Sequence, residues 1–283
     1  MLDIKRLEES HQLVKECLLS RNSDPAVVDQ VLALNQKRKS LTTSVESRKA
    51  EANKLSREIG ELKKNKQDAQ GLMDQVAKLK AEMAQDEANL ATVQDEQTQI
   101  LLTIPNLLDA SVPKGKDEND NVEYRKWGTP RVFDFTPMDH ADVGEKLGMI
   151  DFEAGARVTG ARFVFLKGDL ARLERALINF MLDYHLGQGF QEIMPPFIAH
   201  ERSLVGTGNL PKFKDQLFKL EDTDWYLIPT SEVTVTNIKR DMVMEEKELP
   251  YKYTAYSPCF RSEAGSHGRD VKGLIRMHQF NKV

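Results

Sequence analysis

The segment 259–283, CFRSEAGSHGRDVKGLIRMHQFNKV, contains side chains whose types and spacing suit a phosphorylated ligand. Arg261 and Glu263 lie two positions apart, so on a strand they project from one face. The planar guanidinium of Arg261 can bind a phosphate or a carboxylate through two parallel hydrogen bonds. The carboxylate of Glu263 can accept a hydrogen bond from an exocyclic amine. Together the two side chains predict a clamp for a nucleotide.

A charged, glycine-rich loop at 264–273 separates this strand from a second predicted strand at 274–280. Arg276 and Phe280 share a face of the second strand, where the ring of Phe280 offers a surface for stacking a base. A salt-bridged surface hairpin is the alternative interpretation. The apolar residues Cys259 and Met277 disfavour it, because they predict that both strands are buried.

A second candidate site is the segment LIPTSEV at 227–233. Thr230, Ser231 and Glu232 place two hydroxyls and a carboxylate at the end of a predicted strand, and an ammonium group has three donors to satisfy. The same residues could equally form an N-cap for the following segment. The residues alone leave both interpretations open.

These segments must be positioned by short strands and one long helix. Residues 169–187 carry an apolar stripe at helical spacing, and short strand-like pieces follow at FQEIM, QLFKL, WYLIP and YKYTAY. In GFQEIMPPFI, at 189–198, two prolines end regular pairing, which is typical of a strand end at a sheet edge. This pattern predicts an α+β domain with an antiparallel sheet.

The N-terminal part differs in composition, because residues 1–123 contain no Phe, Tyr or Trp. Apolar residues repeat at 3-4 spacing over 31–62 and again over 72–100, with a polar interruption at 64–71. Such a repeat predicts an antiparallel coiled-coil hairpin at about 27–100. We therefore predict a helical arm at 1–104, a linker at 105–130 and a second domain at 131–283.

The two arms of this hairpin carry opposite charge. Residues 27–66 contain ten basic and five acidic residues, and residues 68–96 contain two basic and seven acidic residues. Interhelical salt bridges would explain this asymmetry. Alternatively, one face of the first helix presents basic side chains to a phosphate backbone, and the two explanations can coexist. The candidate nucleic-acid contacts are Arg38, Lys49, Lys54 and Arg57.

The whole-chain composition excludes several classes. The chain has 283 residues, a net charge of −4 and no apolar run long enough for a membrane span. Its first residues are charged where an export signal needs an apolar core, and Cys17 and Cys259 match no disulfide framework. The six histidines show no zinc spacing, so no metal site formed by protein ligands is predicted. A reducing cytoplasm and no membrane partner are expected.

These segments, taken in order, resemble the seryl-tRNA synthetase family, a branch of the class II aminoacyl-tRNA synthetases. The resemblance extends over essentially the whole chain, including the helical hairpin and a linker with PN, SVP and WG. The most specific part is CFRSEAGSHGRD followed by GLIRMHQFNKV. It implies an α+β fold in which a class II antiparallel sheet with flanking helices follows a coiled-coil arm.

The resemblance also implies roles for the residues of the closing hairpin. Arg261, Ser262 and Glu263 match the family's second motif, in which the arginine contacts the α-phosphate of ATP and the glutamate contacts the adenine amino group. Arg261 is therefore the implied catalytic residue. Phe280 would stack on adenine, and Arg276 would support the phosphates.

By the same resemblance, Thr230, Ser231 and Glu232 hold the amino group of L-serine. GFQEIMPP matches the family's first motif, which lies at a homodimer interface, and the coiled-coil arm grips tRNA-Ser. The family's third motif, with a further arginine, does not occur in the chain, so we expect an incomplete catalytic domain ending after motif 2. The residue that reads the serine hydroxyl would lie beyond Val283.

The implied activity is ATP-dependent formation of seryl-adenylate, with Mg²⁺ as cofactor, followed by transfer of serine to tRNA-Ser and tRNA-Sec. Two other classes stay open. A non-catalytic tRNA-binding protein would explain the missing third motif. A ligase that loads an amino acid onto a carrier protein could use the same core, but the full-length basic arm argues against it.

Overall fold

The computed structural model describes residues 1–263 and 273–283. The chain divides into two compact units, Met1–Trp127 and Gly128–Val283, each of which has its own internal packing. The part of the predicted nucleotide loop at 264–272 lies outside the described residues.

The first unit is built from helices. Two short helices precede two long ones that run antiparallel, because only a short connection joins them. At 1.5 Å per residue the 39-residue third helix is about 60 Å long. The predicted helical arm is confirmed. Its helices are α1 (Ile4–Glu9), α2 (His11–Ser20), α3 (Ala26–Lys64) and α4 (Gln70–Thr103).

The base of this unit has an aliphatic core without aromatic residues. Leu7, Val14 and Leu18 from α1 and α2 pack with Val28 and Val31 of α3 and with the end of α4. Further along the arm, few of the side chains between α3 and α4 are buried, and Ala52 and Val76 are among those few. The short helices therefore stabilise one end of a long hairpin, while its other end is held by helix pairing alone.

The polar residues that interrupt the apolar seam form contacts between the two long helices. Arg48 of α3 forms a salt bridge with Asp86 and a second one, at 3.3 Å, with Glu82, both on α4. Gln97 of α4 is buried and donates to the Val31 carbonyl at 3.4 Å. Such polar seam contacts favour a single register of the two helices.

The second unit combines five α-helices, two 3-10 turns (Lys214–Gln216 and Glu246–Glu248) and eight short strands among its described residues. The helices are α5 (His140–Lys146), α6 (Phe152–Val158), α7 (Gly168–Gly187), α8 (Glu201–Gly206) and α9 (Glu232–Asn237). The strands are β1 (Ile150–Asp151), β2 (Phe165–Leu166), β3 (Gln191–Glu192), β4 (Ile198–His200), β5 (Trp225–Leu227), β6 (Tyr253–Thr254), β7 (Ser257–Phe260) and β8 (Gln279–Lys282).

The strands form four two-stranded ladders in the described chain. The pairs β1–β2, β4–β5 and β7–β8 are antiparallel, as predicted. The pair β3–β6 is parallel, with Gln191 opposite Tyr253, which the prediction of an antiparallel sheet did not include. Ile228 continues the β4–β5 ladder by donating to Phe197 at 3.0 Å, and Phe260 of β7 donates to Ile228 at 2.8 Å, which joins the β7–β8 ladder to the β4–β5 ladder.

The core of this unit lies beneath the segment that follows β5. Tyr226, Ile228 and Val233 are buried against Ala199 and Leu204. This packing fixes the backbone on both sides of Thr230, which is the middle of the second candidate site.

The return strand of the predicted hairpin begins later than expected. We predicted a strand at 274–280, but β8 covers Gln279–Lys282. The cause is a turn in which Gly273 has φ +65° and the Leu274 amide donates to His140 Nε2 at 2.8 Å instead of to a strand. Arg276 therefore precedes the strand, and Glu263, with φ +48°, also lies outside β7.

A search of the described helices for a membrane span found no candidate, since none combines sufficient length with sufficient apolar content.

Candidate active site

The end of β7 and the segment before β8 enclose a cavity of about 380 Å³. Arg261, Glu263, Arg276 and Phe280 all line it, so the structure brings together four of the five residues predicted to bind a nucleotide. The alternative interpretation, a salt-bridged surface hairpin, is excluded, because Cys259 is fully buried and Glu263 is 8% exposed.

Arg261 lines this cavity from the end of β7. Its backbone continues the β7–β8 ladder by donating to the His278 carbonyl at 2.8 Å. Its guanidinium carbon lies 4.8 Å from the centre of the Phe280 ring, which is cation–π distance. Its Nε donates to the Pro229 carbonyl at 3.2 Å. The contact with Pro229 also joins this cavity to the segment that carries Thr230.

Glu263 and Arg276 form an ion pair inside the cavity. Arg276 Nε donates to Glu263 Oε2 at 2.6 Å, and the side chain of Glu263 is 7% exposed. The family resemblance implies separate roles for these residues, with Glu263 on adenine and Arg276 on the phosphates. In the structure Arg276 contacts the Glu263 carboxylate directly, so the two side chains are held together.

Two contacts hold the chain on either side of the nucleotide cavity. Ser262 donates its hydroxyl to the Asp215 carbonyl at 2.6 Å and its amide to the Gln216 carbonyl at 3.0 Å. The Ser262 side chain is therefore turned toward the helical turn at Lys214–Gln216 and is not among the residues that line the cavity. On the other side, His140 accepts from the Leu274 amide at 2.8 Å.

The second candidate site lies in a neighbouring cavity of about 230 Å³, which Ser231, Glu232 and Lys282 help to line. Thr230 donates its hydroxyl to the Glu232 carboxylate. Lys282 Nζ donates to Thr230 Oγ1 at 2.8 Å and to Glu232 Oε1 at 2.6 Å. The acceptors that the sequence predicted for an ammonium group are thus in contact with an ammonium group in the structure.

Ser231 stands at the N-cap position of α9, but its side chain makes no capping hydrogen bond. Its hydroxyl instead lies 2.6 Å from the Ser257 hydroxyl in the buried interior. The simple N-cap interpretation therefore fails for Ser231. The buried hydroxyl pair fixes the backbone from which Thr230 and Glu232 project.

The electrostatics of Glu232 favour its charged form. Partial burial opposes ionisation, but hydrogen bonds from Lys282 and Thr230 outweigh it and lower the pKa to about 2 from an ordinary value of 4.5. The carboxylate is therefore a permanent anion at neutral pH, which is the state that binds an ammonium group.

The basic residues of the arm differ in their surroundings. Lys49, Lys54 and Arg57 are exposed on α3, and none of them takes part in an ion pair in the fully described arm. Arg38 is half-buried and donates to Asn35 Oδ1 at 3.0 Å. Interhelical salt bridging therefore explains Arg48 but does not explain these three exposed cations.

Residues 1–263 and 273–283 contain no cluster of three or more His, Cys, Asp or Glu side chains that could hold a metal ion. These residues do not fit a magnesium ion bound by protein ligands alone.

Family comparisons agree with both units. The model described as the seryl-tRNA synthetase N-terminal domain matches residues 1–108. The model described as the tRNA synthetase class II core domain (G, H, P, S and T) matches residues 215–283, which contain the whole lining of the first cavity and most of the lining of the second. The second unit therefore carries a class II tRNA synthetase core.

Full-length relatives define the family more closely. The chain is 49% identical to the serine–tRNA ligase of Thermodesulfovibrio yellowstonii, covering 100% of the chain and 67% of that relative. It is 50% identical to the serine–tRNA ligase of Hahella chejuensis, covering 100% of the chain and 66% of that relative. The chain belongs to the seryl-tRNA synthetase family, and it spans about two thirds of the length of these relatives.

Solved structures support the same assignment. The seryl-tRNA synthetase of Pyrococcus horikoshii, complexed with ATP, superposes with a TM-score of 0.88 at 34% identity, covering 100% of this chain and 68% of that one. The cytoplasmic serine–tRNA ligase of Naegleria fowleri, in complex with AMP, gives a TM-score of 0.81 at 28% identity, covering 100% of this chain and 69% of that one.

Sequence reasoning missed three residues that shape the site, namely Lys282, Ser257 and His140. Lys282 could have been found, because it lies two positions after Phe280 and so shares its face of the strand. Ser257 lies opposite Lys282 in the β7–β8 register. His140 is more than a hundred residues away from the loop that it contacts, and no local signal reveals that contact.

Proposed function

We propose that the protein activates L-serine with ATP and transfers it to tRNA-Ser, and by the same route to tRNA-Sec. The observation that carries this proposal is the pair of adjacent cavities joined by Arg261, one lined by an arginine, a carboxylate and an aromatic ring and the other by a permanently ionised glutamate. A nucleotide and an amino acid bound in these cavities would meet beside Arg261.

In the first step, a serine carboxylate oxygen attacks the α-phosphorus of ATP, and the bond to pyrophosphate breaks. The serine ammonium is held by Glu232 and Thr230, so the carboxylate faces the nucleotide cavity. Arg261 stabilises the negative charge that develops on the phosphate oxygens. Positioning accounts for much of the rate, and no side chain is assigned as a general base.

In the second step, a ribose hydroxyl of the tRNA terminus attacks the acyl carbonyl, and AMP leaves. Magnesium belongs to this proposal as a companion of the ATP phosphates, since the described residues provide no metal site of their own. The cytoplasm is the proposed location, and the two free cysteines suit a reducing compartment.

Serine-dependent exchange of pyrophosphate into ATP tests the activity. The proposal predicts exchange that requires L-serine and is lost without it. Binding of tRNA-Ser without any exchange would instead favour the non-catalytic tRNA-binding protein.

The arm is proposed to bind tRNA through Lys49, Lys54 and Arg57. Replacing all three with Gln should weaken tRNA-Ser affinity about tenfold or more, because three phosphate contacts are lost. The slope of log affinity against log salt should become shallower by about 3. Filter binding at several salt concentrations measures both quantities.

A matched control replaces three exposed cations of the second unit, Lys146, Arg157 and Lys247, with Gln. This triple variant has the same net charge as the arm variant but an intact arm. If both triples lowered tRNA affinity equally, the effect would reflect net charge and the arm surface would be excluded.

We also propose a homodimer formed through the first motif. Met194 lies in GFQEIMPP and is 90% exposed, so its apolar side chain is available for contact with a second chain. Met194→Asp should therefore lower the dimer fraction measured by analytical ultracentrifugation. Val243→Asp is the matched control, because Val243 is also fully exposed but lies outside the motif. Equal sedimentation of the two variants would contradict this interface.

A further inference from the structure

Lys282 is placed so that its charge fills the subsite proposed for the substrate ammonium. Its Nζ contacts Thr230 Oγ1 at 2.8 Å and Glu232 Oε1 at 2.6 Å, which are the two acceptors assigned to serine. A lysine ammonium and an α-ammonium carry the same charge and the same three donors. The two groups therefore compete for identical partners.

Both ammonium groups cannot occupy these acceptors together. Two cations within hydrogen-bond distance of the same carboxylate would lie only a few ångströms apart, where like charges repel strongly in a partly desolvated cavity. The Glu232 carboxylate can neutralise one of them. Binding of the substrate ammonium thus requires that Lys282 leaves.

The Lys282 side chain can move away from these acceptors while its backbone stays in place. The β7–β8 ladder fixes its backbone, with Lys282 opposite Ser257, but its long side chain is 35% exposed. The Glu232 side chain is 59% exposed, so the contact is reached from solvent. The charged end of a lysine can move into water while its backbone stays in place.

We propose that Lys282 is a tethered competitor that holds the ammonium subsite closed and is displaced by the substrate ammonium. This inference rests on the proposed function, because it takes Glu232 and Thr230 as the serine subsite. Lys282 thereby raises the concentration of serine needed for binding. Lys282 also favours positively charged ligands over neutral ones. A neutral ligand that displaced Lys282 would leave the Glu232 carboxylate without a positive partner.

The expected size follows from competition. When only a fraction of the sites is open, the apparent dissociation constant increases by the inverse of that fraction. If Lys282 covers the subsite about nine-tenths of the time, removing its charge should tighten serine binding about tenfold.

The test is calorimetric titration of L-serine into the wild-type chain and into Lys282→Met, which keeps the aliphatic stem and removes the ammonium. The inference predicts that serine binds Lys282→Met about tenfold more tightly. Lys282→Arg is the matched control, because it retains a tethered cation and should not show this gain. Circular dichroism checks that each variant is folded.

L-Glycerate serves as the control ligand, because a hydroxyl replaces the ammonium of serine. Lys282→Met should not bind glycerate about tenfold more tightly than wild type, as it is predicted to bind serine. The inference is overturned if serine binds Lys282→Met no more tightly than wild type, or if Lys282→Arg or glycerate shows the same gain. If serine bound neither wild type nor Lys282→Met, the proposed function would fail as well, which distinguishes the two failures.

Discussion

Replacing Arg261 with alanine should weaken ATP binding about 10- to 100-fold, the largest effect expected from any single substitution in the nucleotide cavity. The guanidinium lines this cavity, stacks on Phe280 and contacts the Pro229 carbonyl. A charge-assisted hydrogen bond contributes about 1.5–3 kcal/mol, which corresponds to this range of affinity. Calorimetric titration with ATP measures the change.

Two comparison variants make the Arg261 result specific. Arg261→Lys keeps the charge but loses the planar fork, so it should recover only part of the affinity. Arg157→Ala removes an exposed guanidinium on α6, outside both cavities, and should leave ATP binding unchanged. An ATP affinity of Arg261→Ala equal to that of wild type would remove Arg261 from the site.

Replacing Glu232 with glutamine should weaken L-serine binding by a similar factor of about 10 to 100, because the neutral amide cannot pair with the substrate ammonium. Glutamine keeps the shape of the glutamate side chain, so the decrease in serine affinity measures the contribution of the negative charge. Glu153→Gln, in the first turn of α6, is the matched control and should bind serine like wild type. Undiminished serine affinity in Glu232→Gln would show that the ammonium binds elsewhere.

The same variant gives a pH signature in stability. The pKa of Glu232 is lowered to about 2, because hydrogen bonds from Lys282 and Thr230 outweigh the opposing effect of burial. A lowered pKa stabilises the folded state at pH values above the ordinary pKa of 4.5, and this contribution is lost as the pH falls toward 2. The difference in unfolding free energy between wild type and Glu232→Gln should shrink over that range. A constant difference would contradict the assigned ion pair.

The sequence predicted the helical arm because its evidence is local. An apolar repeat over many turns, without proline and with one polar interruption, specifies two long helices that must return antiparallel. Arg48 in α3 and Asp86 in α4 are polar residues at positions where the repeat is otherwise apolar. The pattern could not show that these two residues would pair with each other. That pairing depends on the register of the two helices, which the repeat leaves open.

The candidate site was predicted less completely, because its geometry depends on contacts between distant segments. The sequence identified Arg261, Glu263 and Phe280 by type and spacing. It placed Arg276 on a strand, whereas the His140 contact with the Leu274 amide holds a turn there and brings Arg276 onto Glu263. The sequence also left open that Ser231 caps a helix. In the structure its hydroxyl instead contacts the buried hydroxyl of Ser257 on β7.

The central claim is that the two cavities form one bipartite site for a nucleotide and an amino acid. Calorimetric titration with a non-hydrolysable seryl-adenylate analogue tests this claim most directly. We predict that the analogue binds with one site per chain, more tightly than adenosine or L-serine alone, and that Arg261→Ala and Glu232→Gln each weaken it. An analogue that binds no more tightly than adenosine, or that is insensitive to Glu232→Gln, would contradict the claim.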